Sequence, residues 1–166
     1  MLFFRLTKVL LVASIAIFAT LVAFGNVTDY ETNFQFVGHV LLMDTLPSES
    51  KIRYRAINTS LVHHAAHWVI IATQATIAAL CWIGAIRLAA AVRQPAAAFN
   101  KAKGISAAGL GLGILLWQLG FMIIGGEWFA MWQSAEWNGV PSAFRFVMII
   151  GTTLIVLMMP DHELEG

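Results

Sequence analysis

Charged residues are scarce in this sequence, and their scarcity indicates its class. Only 11% of the 166 residues are Asp, Glu, Lys or Arg, whereas 59% are apolar and the mean hydropathy is +0.77. A soluble globular domain carries about 25% charged residues. The composition therefore excludes an ordinary soluble domain and indicates a protein whose solvent is lipid.

The net charge is small, and the sequence has only one cysteine. The formal net charge is +1, which gives no electrostatic attraction to nucleic acid, so we expect no nucleic-acid partner. Cys81 is the one cysteine, and a single cysteine excludes a disulfide within the chain. Because Cys81 lies in the middle of an apolar run, we expect it to be a packed membrane residue.

The sequence also lacks the motifs that define common reactions. No Ser, Cys or Thr stands in a nucleophile-elbow context, no glycine-rich phosphate loop follows a strand, and the acidic residues are scattered. We therefore expect a protein without enzymatic activity.

What the sequence does contain is four long apolar runs. A helix needs about 20 apolar residues to cross the hydrocarbon of a bilayer, and the shortest run here suits a slightly thinned bilayer. We predict an all-α integral membrane protein, a single domain over residues 1–166, in contact with the lipid bilayer. The four transmembrane helices are predicted at about residues 3–25, 62–88, 105–124 and 143–159.

The first run has a rival interpretation as a secretory signal peptide. Arg5 and Lys8 form a basic start, and Ala23 and Gly25 are small residues at the positions that a signal peptidase reads. We expect this run to be a retained transmembrane helix.

Two polar segments, residues 26–61 and 125–142, are expected on the outer face, with short interfacial helices. In the first, Phe36, Val40 and Met43 recur at helical spacing before Pro47. In the second, we expect the third transmembrane helix to end at two glycines and an amphipathic helix to follow. Its apolar face would carry Trp128, Met131, Trp132 and Ala135.

The distribution of Lys and Arg predicts the orientation. Basic residues lie before the first span and between the second and third, whereas the third connection, residues 125–142, has none. Both termini are therefore expected in the cytoplasm. Lys51, Arg53 and Arg55 oppose this assignment, but acidic residues share their segment.

Histidines gather at the predicted outer face and could hold a metal ion. His63 and His67 are spaced i, i+4, which places both imidazoles on one helix face. His39 and Glu127 could complete the ligand set. A two-histidine spacing is also common without any metal, so packed interfacial histidines are the competing interpretation.

An organic cofactor is the other possibility for this face. Haem ligation would pair His39 with His64 or His67, although no attachment motif is present, and Trp128 is a further candidate contact. Gln74, Trp117 and Gln118 lie nearest the bilayer interior and could contact a quinone head group. The same three residues could equally hydrogen-bond between helices.

Several motifs carry a resemblance to a known family. They are NFQFV (33–37), HVL (39–41), MDT (43–45), YRAI (54–57), GEWFAMWQ (126–133) and WNG (137–139). On these motifs the chain resembles the DUF2165 family of predicted small integral membrane proteins, over nearly its whole length. A tryptophan often stands in that family where this chain has Tyr54. The resemblance implies four transmembrane helices in a bacterial inner membrane and supplies no activity, substrate or cofactor.

Two functions of different classes follow from the sequence. In the first, the chain is a non-catalytic accessory subunit that packs against a larger membrane complex, respiratory or photosynthetic. The small residues of the second and third spans, such as the pair Gly109 and Gly113, motivate it. In the second, the His and Glu cluster of the outer face binds a metal ion, haem or a quinone.

Overall fold

The chain forms a helical bundle with four long apolar helices. The computed structural model describes residues 2–163, and these contain no strand. Four helices are long and apolar enough to cross a membrane: α1 (Leu2–Thr28), α3 (Ser60–Ala91), α4 (Ala96–Leu115) with its continuation, and α5 (Val140–Met158). The continuation of α4 is a π-helix (Leu116–Trp128) that follows it directly. A shorter helix, α2 (Tyr30–Leu42), follows α1, and 3₁₀ turns lie at Arg53–Arg55 and Met131–Gln133. The predicted fold class is therefore confirmed.

The four long helices form a ring in which α5 packs against α1 and α4, whereas α3 packs against α1, α4 and the shorter helix α2. The contact of α3 with α4 is close at glycines. A Cβ on Gly84 would lie 2.2 Å from Oγ of Ser106, and one on Gly109 would lie 2.9 Å from Cβ of Leu80. Gly113 similarly faces Ile150 of α5. Gly109 and Gly113, which the sequence suggested as a contact for a helix of another subunit, thus pack against helices of this chain.

The third span is longer than the hydropathy predicts. It begins at Ala96, because residues before the apolar run are already helical, and it runs through Gly125 and Gly126 to Trp128. Both glycines are buried, and a Cβ on Gly126 would lie 3.1 Å from Cγ2 of Val140. Gly126 therefore lets α5 approach the π-helix, Gly125 faces Met131, and neither glycine ends the third span.

The prediction of one amphipathic helix over residues 125–139 is wrong. After the π-helix, only Met131–Gln133 is helical, as a single 3₁₀ turn. Ala130 has a left-handed backbone with φ of 53°, which breaks the helix. Three consecutive residues, Phe129, Ala130 and Met131, are buried, a pattern that no one-faced surface helix produces.

The predicted interfacial helix in residues 26–61 does exist, as α2. It ends where Met43 takes a left-handed conformation, and Met43 then packs with Leu46, Phe129 and Ala130 in a small cluster of its own. Thr45 donates a hydrogen bond of 2.9 Å to Oγ of Ser134. The segments after α2 and after the π-helix thus cover one end of the bundle together, which we call the pocket end.

The first turns of α1 and the residues after α5 lie at the opposite end, which we call the terminal end. Arg5 of α1 donates hydrogen bonds to the carbonyls of Val92 and Gln94 after α3 and to that of His162 beyond α5. Arg5 is 0% exposed and Lys8 is 1% exposed. These residues, predicted as a basic flank, are therefore part of the packed interior.

The carboxylate of Asp161 is close to three buried cations at the terminal end. Oδ2 of Asp161 lies 2.5 Å from Nζ of Lys8 and 2.6 Å from Nζ of Lys103, and Oδ1 lies 4.0 Å from Nε of Arg5. Nδ2 of Asn100 donates to the Asp161 carbonyl. Burial raises the pKa of Asp161, but the hydrogen bonds and charges of Lys103 and Lys8 outweigh burial and hold this pKa below its ordinary value. Asp161 is therefore expected to stay ionised at neutral pH.

Candidate functional site

The predicted outer-face residues lie at the pocket end, but they divide among separate environments. Nδ1 of His39 lies 2.8 Å from Oδ2 of Asp44, and the imidazole stacks on Trp137 with ring centroids 4.7 Å apart. Nε2 of His63 donates a 2.7 Å hydrogen bond to the carbonyl of Ile57. Both histidines therefore have structural partners in the segments that cover the pocket end.

His64 is held by the start of α2. Its Nδ1 shares a hydrogen bond of 2.8 Å with the hydroxyl of Tyr30, and its ring stacks on Phe34 with centroids 4.1 Å apart. Tyr30 also presents its ring to the edge of His67, 4.7 Å between centroids. The structure thus brings His64 and His67 together against α2, and leaves His39 outside this group.

Glu127 and Trp128 lie at the end of the π-helix and are exposed. The guanidinium of Arg55 lies 4.6 Å from the ring centroid of Trp128 and donates to the Trp128 carbonyl. This contact ties the segment after α2 to the end of the π-helix.

Within residues 2–163, no three His, Cys, Asp or Glu side chains converge in a way that could hold a metal ion. The metal set of His63, His67, His39 and Glu127 stays a prediction, as do the cofactor contacts of His39, His64 and Trp128.

His67 differs from the other histidines of α3 because neither ring nitrogen makes a hydrogen bond of normal geometry within the described part of the chain. It is 1% exposed, and the backbone of Asn26 is the polar group nearest to its ring. Among residues 2–163, only two other buried side-chain atoms make no hydrogen bond: Nε of Arg5 and Oγ of Ser106. A buried polar group left unpaired costs about 1–3 kcal/mol, so an unpaired imidazole calls for an explanation.

A cavity lies beside His67. It has a volume of about 170 Å³ and lies between α1, α2, α3, the π-helix and α5. We call it the polar cavity. Its walls are Val22, Asn26, Asn33, Phe36, Val37, His67, Ile70, Gln74, Trp117, Phe121 and Phe146.

Side-chain amides supply the other polar groups of this cavity. Nδ2 of Asn26 donates a 2.7 Å hydrogen bond to Oε1 of Gln74, which leaves the amide nitrogen of Gln74 as a donor. Nδ2 of Asn33 donates to the carbonyl of Asp29, which leaves the Asn33 amide oxygen as an acceptor. The cavity therefore offers both hydrogen-bond donors and acceptors, and none of its lining side chains is an acid, a lysine or an arginine.

A second cavity, the apolar cavity, adjoins the first. Its volume is about 200 Å³, and four residues, Phe36, Val37, Ile70 and Phe121, line both cavities. The remaining walls are apolar side chains and glycines of α2, α3, the π-helix and the segment after it, and both cavities are partly open. A polar compartment thus lies beside an apolar one within the hydrophobic part of the bundle.

The π-helix forms one wall of both cavities, through Trp117 and Phe121 in the polar cavity and Leu116, Gly120 and Ile124 in the apolar one. A π-helix has a wider turn than an α-helix, and such segments occur frequently at functional sites. The unusual backbone therefore coincides with the two cavities.

The sequence predicted Gln74 as a candidate site residue. It did not predict the site residues Asn26, Asn33 and Tyr30. Asn26 was assigned to the polar segment, yet it belongs to the last turn of α1. The available signal was its position one helical turn from Val22 at the end of an apolar run, where an amide faces either lipid or a partner.

These features define a multi-pass helical membrane protein with an internal cavity of mixed polarity. The model of one protein family, described as a predicted small integral membrane protein (DUF2165), matches residues 4–160. The chain belongs to this family, as the resemblance implied. No curated protein and no solved structure matches it.

Proposed function

We propose that this protein binds a small neutral amphiphile in the two adjoining cavities of its pocket end. The observation that carries the proposal is His67, a buried residue that lines the polar cavity and whose two ring nitrogens make no hydrogen bond of normal geometry within the described residues. A ligand that hydrogen-bonds to His67 would remove the cost of this unpaired group. The role is binding, and no set of catalytic residues is assigned to it.

The adjoining apolar cavity supports an amphiphile over a purely polar ligand. Ligand sites are mostly apolar cavities with a few polar groups that fix the orientation, and the two cavities together have that composition. Both are partly open, and the protein is embedded in lipid, so a molecule dissolved in the bilayer can reach them.

Mass spectrometry of the molecules retained by the purified protein tests this proposal. Gly120→Phe is designed to fill the apolar cavity, because a Cβ there meets no atom nearer than Cδ1 of Leu116 at 3.9 Å. Gly151→Phe is the matched control, since a Cβ on Gly151 meets nothing within 4 Å and Gly151 lines neither cavity. We expect about one amphiphile per chain in the wild type and in Gly151→Phe, and much less in Gly120→Phe. No retained molecule in the wild type would contradict the proposal.

A second candidate is an accessory subunit of a larger membrane complex, respiratory or photosynthetic. It is supported by a row of small residues on the outer side of α4, where Gly104 and Ala108 are exposed and Gly111 is half-buried, at spacing i, i+4, i+7. A Cβ on Gly104 or Gly111 meets nothing within 4 Å, unlike Gly109 and Gly113, so this row is free to receive a helix of another subunit.

Co-purification in a mild detergent tests the second candidate. The double variant Gly104→Leu with Gly111→Leu should lose a membrane partner that the wild type and Gly151→Leu retain. A wild-type protein that migrates alone as a stable monomer would count against an accessory role.

We propose the bacterial inner membrane as the location, with both termini in the cytoplasm. The proposal rests on the family membership and on the basic residues Arg87, Arg93 and Lys101, which accompany the termini at the terminal end. Labelling of single cysteines introduced at Lys101 and at Glu136 of a Cys81→Ala background tests it. Only the second should react with an impermeant reagent added from outside the inner membrane.

A further inference from the structure

We infer that the ligand of the polar cavity carries a planar ring with carbonyl oxygens, as the lipid-soluble quinones do. This inference rests on the proposed function and adds the chemical class of the ligand. It follows from the charge, the size, the walls and the hydrogen-bonding groups of the cavity.

Charge excludes the ionic amphiphiles. None of the described residues that line either cavity is an acid, a lysine or an arginine. A fatty-acid carboxylate or a lipid phosphate placed there could pair only with a protonated His67, and burial of this ring at 1% exposure disfavours its charged form. The head of the ligand is therefore neutral.

The walls and the size of the polar cavity favour one flat ring. Four aromatic side chains line it: Phe36, Trp117, Phe121 and Phe146. Trp117 and Phe146 are already in edge contact, with ring centroids 5.4 Å apart. Aromatic rings prefer offset-stacked or edge contacts with other flat rings, and a cavity of about 150 Å³ holds a benzene molecule. The volume of about 170 Å³ therefore accommodates a single substituted ring.

The hydrogen-bonding groups favour carbonyl oxygens on that ring. A neutral His67 has one N–H, and Gln74 has a free amide nitrogen, so the two residues offer donors. They lie seven residues apart on one face of α3, a rise of about 10.5 Å. A ring with two opposite carbonyls, each accepting a hydrogen bond of about 2.9 Å, spans about 11 Å between its donors. The rise between these two residues is thus close to the span that a ring with two carbonyls needs, and the tail would extend into the apolar cavity.

Thermal unfolding of the full chain in detergent, with three probes that share a tail, tests the class of ligand. The probes are a benzoquinone with a decyl chain, decylbenzene and 1-decanol. A ligand that binds the folded state raises the unfolding midpoint in a saturable, concentration-dependent way. We expect this for the quinone, with a weaker effect or none for the other two.

Three variants locate the binding. His67→Leu and Gln74→Leu should each weaken quinone binding about ten-fold or more, because each removes a donor to a buried carbonyl. Gln118→Leu is the matched control for Gln74→Leu, since Gln118 is exposed on the π-helix and lines neither cavity. It should bind the quinone like the wild type, and all three variants must keep the wild-type helix content by circular dichroism.

The outcomes separate this inference from the proposed function. Equal binding of decylbenzene or decanol would overturn the quinone class while the cavity remains an amphiphile site. Binding of none of the three probes, when mass spectrometry still finds a retained amphiphile, would also overturn the class alone. Quinone binding that His67→Leu and Gln74→Leu leave unchanged would place the quinone elsewhere and overturn the inference.

Discussion

The two ends of the bundle differ in the hydrogen bonding of their buried polar side chains. At the terminal end, Arg5, Lys8 and Lys103 are almost fully buried, yet each makes hydrogen bonds to carbonyls or to Asp161. At the pocket end, His67 is equally buried and neither ring nitrogen has a partner among the described residues. A cavity lies beside His67, whereas the terminal cluster is filled by the residues after α5.

This difference separates a structural role from a binding role. Buried charges that are paired and hydrogen-bonded stabilise one arrangement of the chain, because removing any partner leaves an uncompensated charge. A buried polar group without a partner costs stability, and a bound molecule, ion or water that supplies the partner is one reason for such a group to exist. We therefore interpret the terminal end as a clasp that holds the bundle and the pocket end as its binding site.

The largest effect is expected from the terminal end. Asp161→Asn keeps the size of the side chain but leaves three buried cations without the carboxylate that faces them. We expect the free energy of unfolding to fall by about 3–5 kcal/mol, measured by circular dichroism during thermal or denaturant unfolding in detergent.

Glu163→Gln is the control for this variant. Glu163 is exposed, and among residues 2–163 its carboxylate accepts only from the backbone nitrogen of Ala96, so its replacement should cost little. A loss below about 1 kcal/mol for Asp161→Asn would show that the cluster does not hold the bundle together.

Acid should weaken the same end. The pKa of Asp161 is lowered in the folded chain from its ordinary value of 3.8, so ionisation of Asp161 stabilises the folded state at every pH above that value. This contribution is lost as the pH falls below 3.8 toward the lowered pKa, since the unfolded chain then binds the proton more readily. Unfolding midpoints measured from pH 6 down to pH 3 should show a steeper loss for the wild type than for Asp161→Asn. Equal slopes would remove Asp161 from the acid response.

A smaller effect of opposite sign is expected at the pocket end. His67→Leu replaces an unpaired imidazole with an apolar side chain, so the ligand-free protein should become more stable by about 1–2 kcal/mol. His63→Leu, one turn earlier on the same face, should lower stability by about 1 kcal/mol because it removes the bond to Ile57. Denaturant unfolding of both delipidated variants provides the measurement, and a clear loss of stability in His67→Leu would mean that His67 has a structural partner.

The smallest effect should come from the polar cavity's amide pair. Asn26→Leu removes the 2.7 Å hydrogen bond to Gln74 within the span, and such bonds between membrane helices contribute about 0.6 kcal/mol on average. Asn58→Leu, on the exposed surface of the pocket end, is the control and should change stability little. An Asn26→Leu variant that fails to fold would show that the pair is a structural support of α1 and α3.

Much of the fold follows from hydropathy, because lipid requires each span to be a long apolar helix. The four spans and the α2 helix were predicted in this way. The π-helix was not, since the apolar pattern of residues 116–128 is compatible with an α-helix as well. The clasp was not predicted either, because Asp161 and Lys8 lie 153 residues apart and only the folded bundle brings them together.

The candidate site was predicted only in outline. His63 and His67 share one face of α3 at a spacing of four, and nothing local distinguishes them. Their different roles come from tertiary contacts, since His63 meets the Ile57 carbonyl whereas His67 meets a cavity. The sequence therefore indicated the region but not the residue within it.

Nitrogen NMR of the His67 ring tests the central claim most directly. The protein labelled with ¹⁵N-histidine would be compared after delipidation and after addition of the decyl benzoquinone, with His67→Leu used to assign the signals. We predict that a ring nitrogen of His67 shifts on loading as it gains a hydrogen bond, while the signals of His39, which lines neither cavity, stay in place. Unchanged His67 signals in a protein saturated with the quinone would contradict the account.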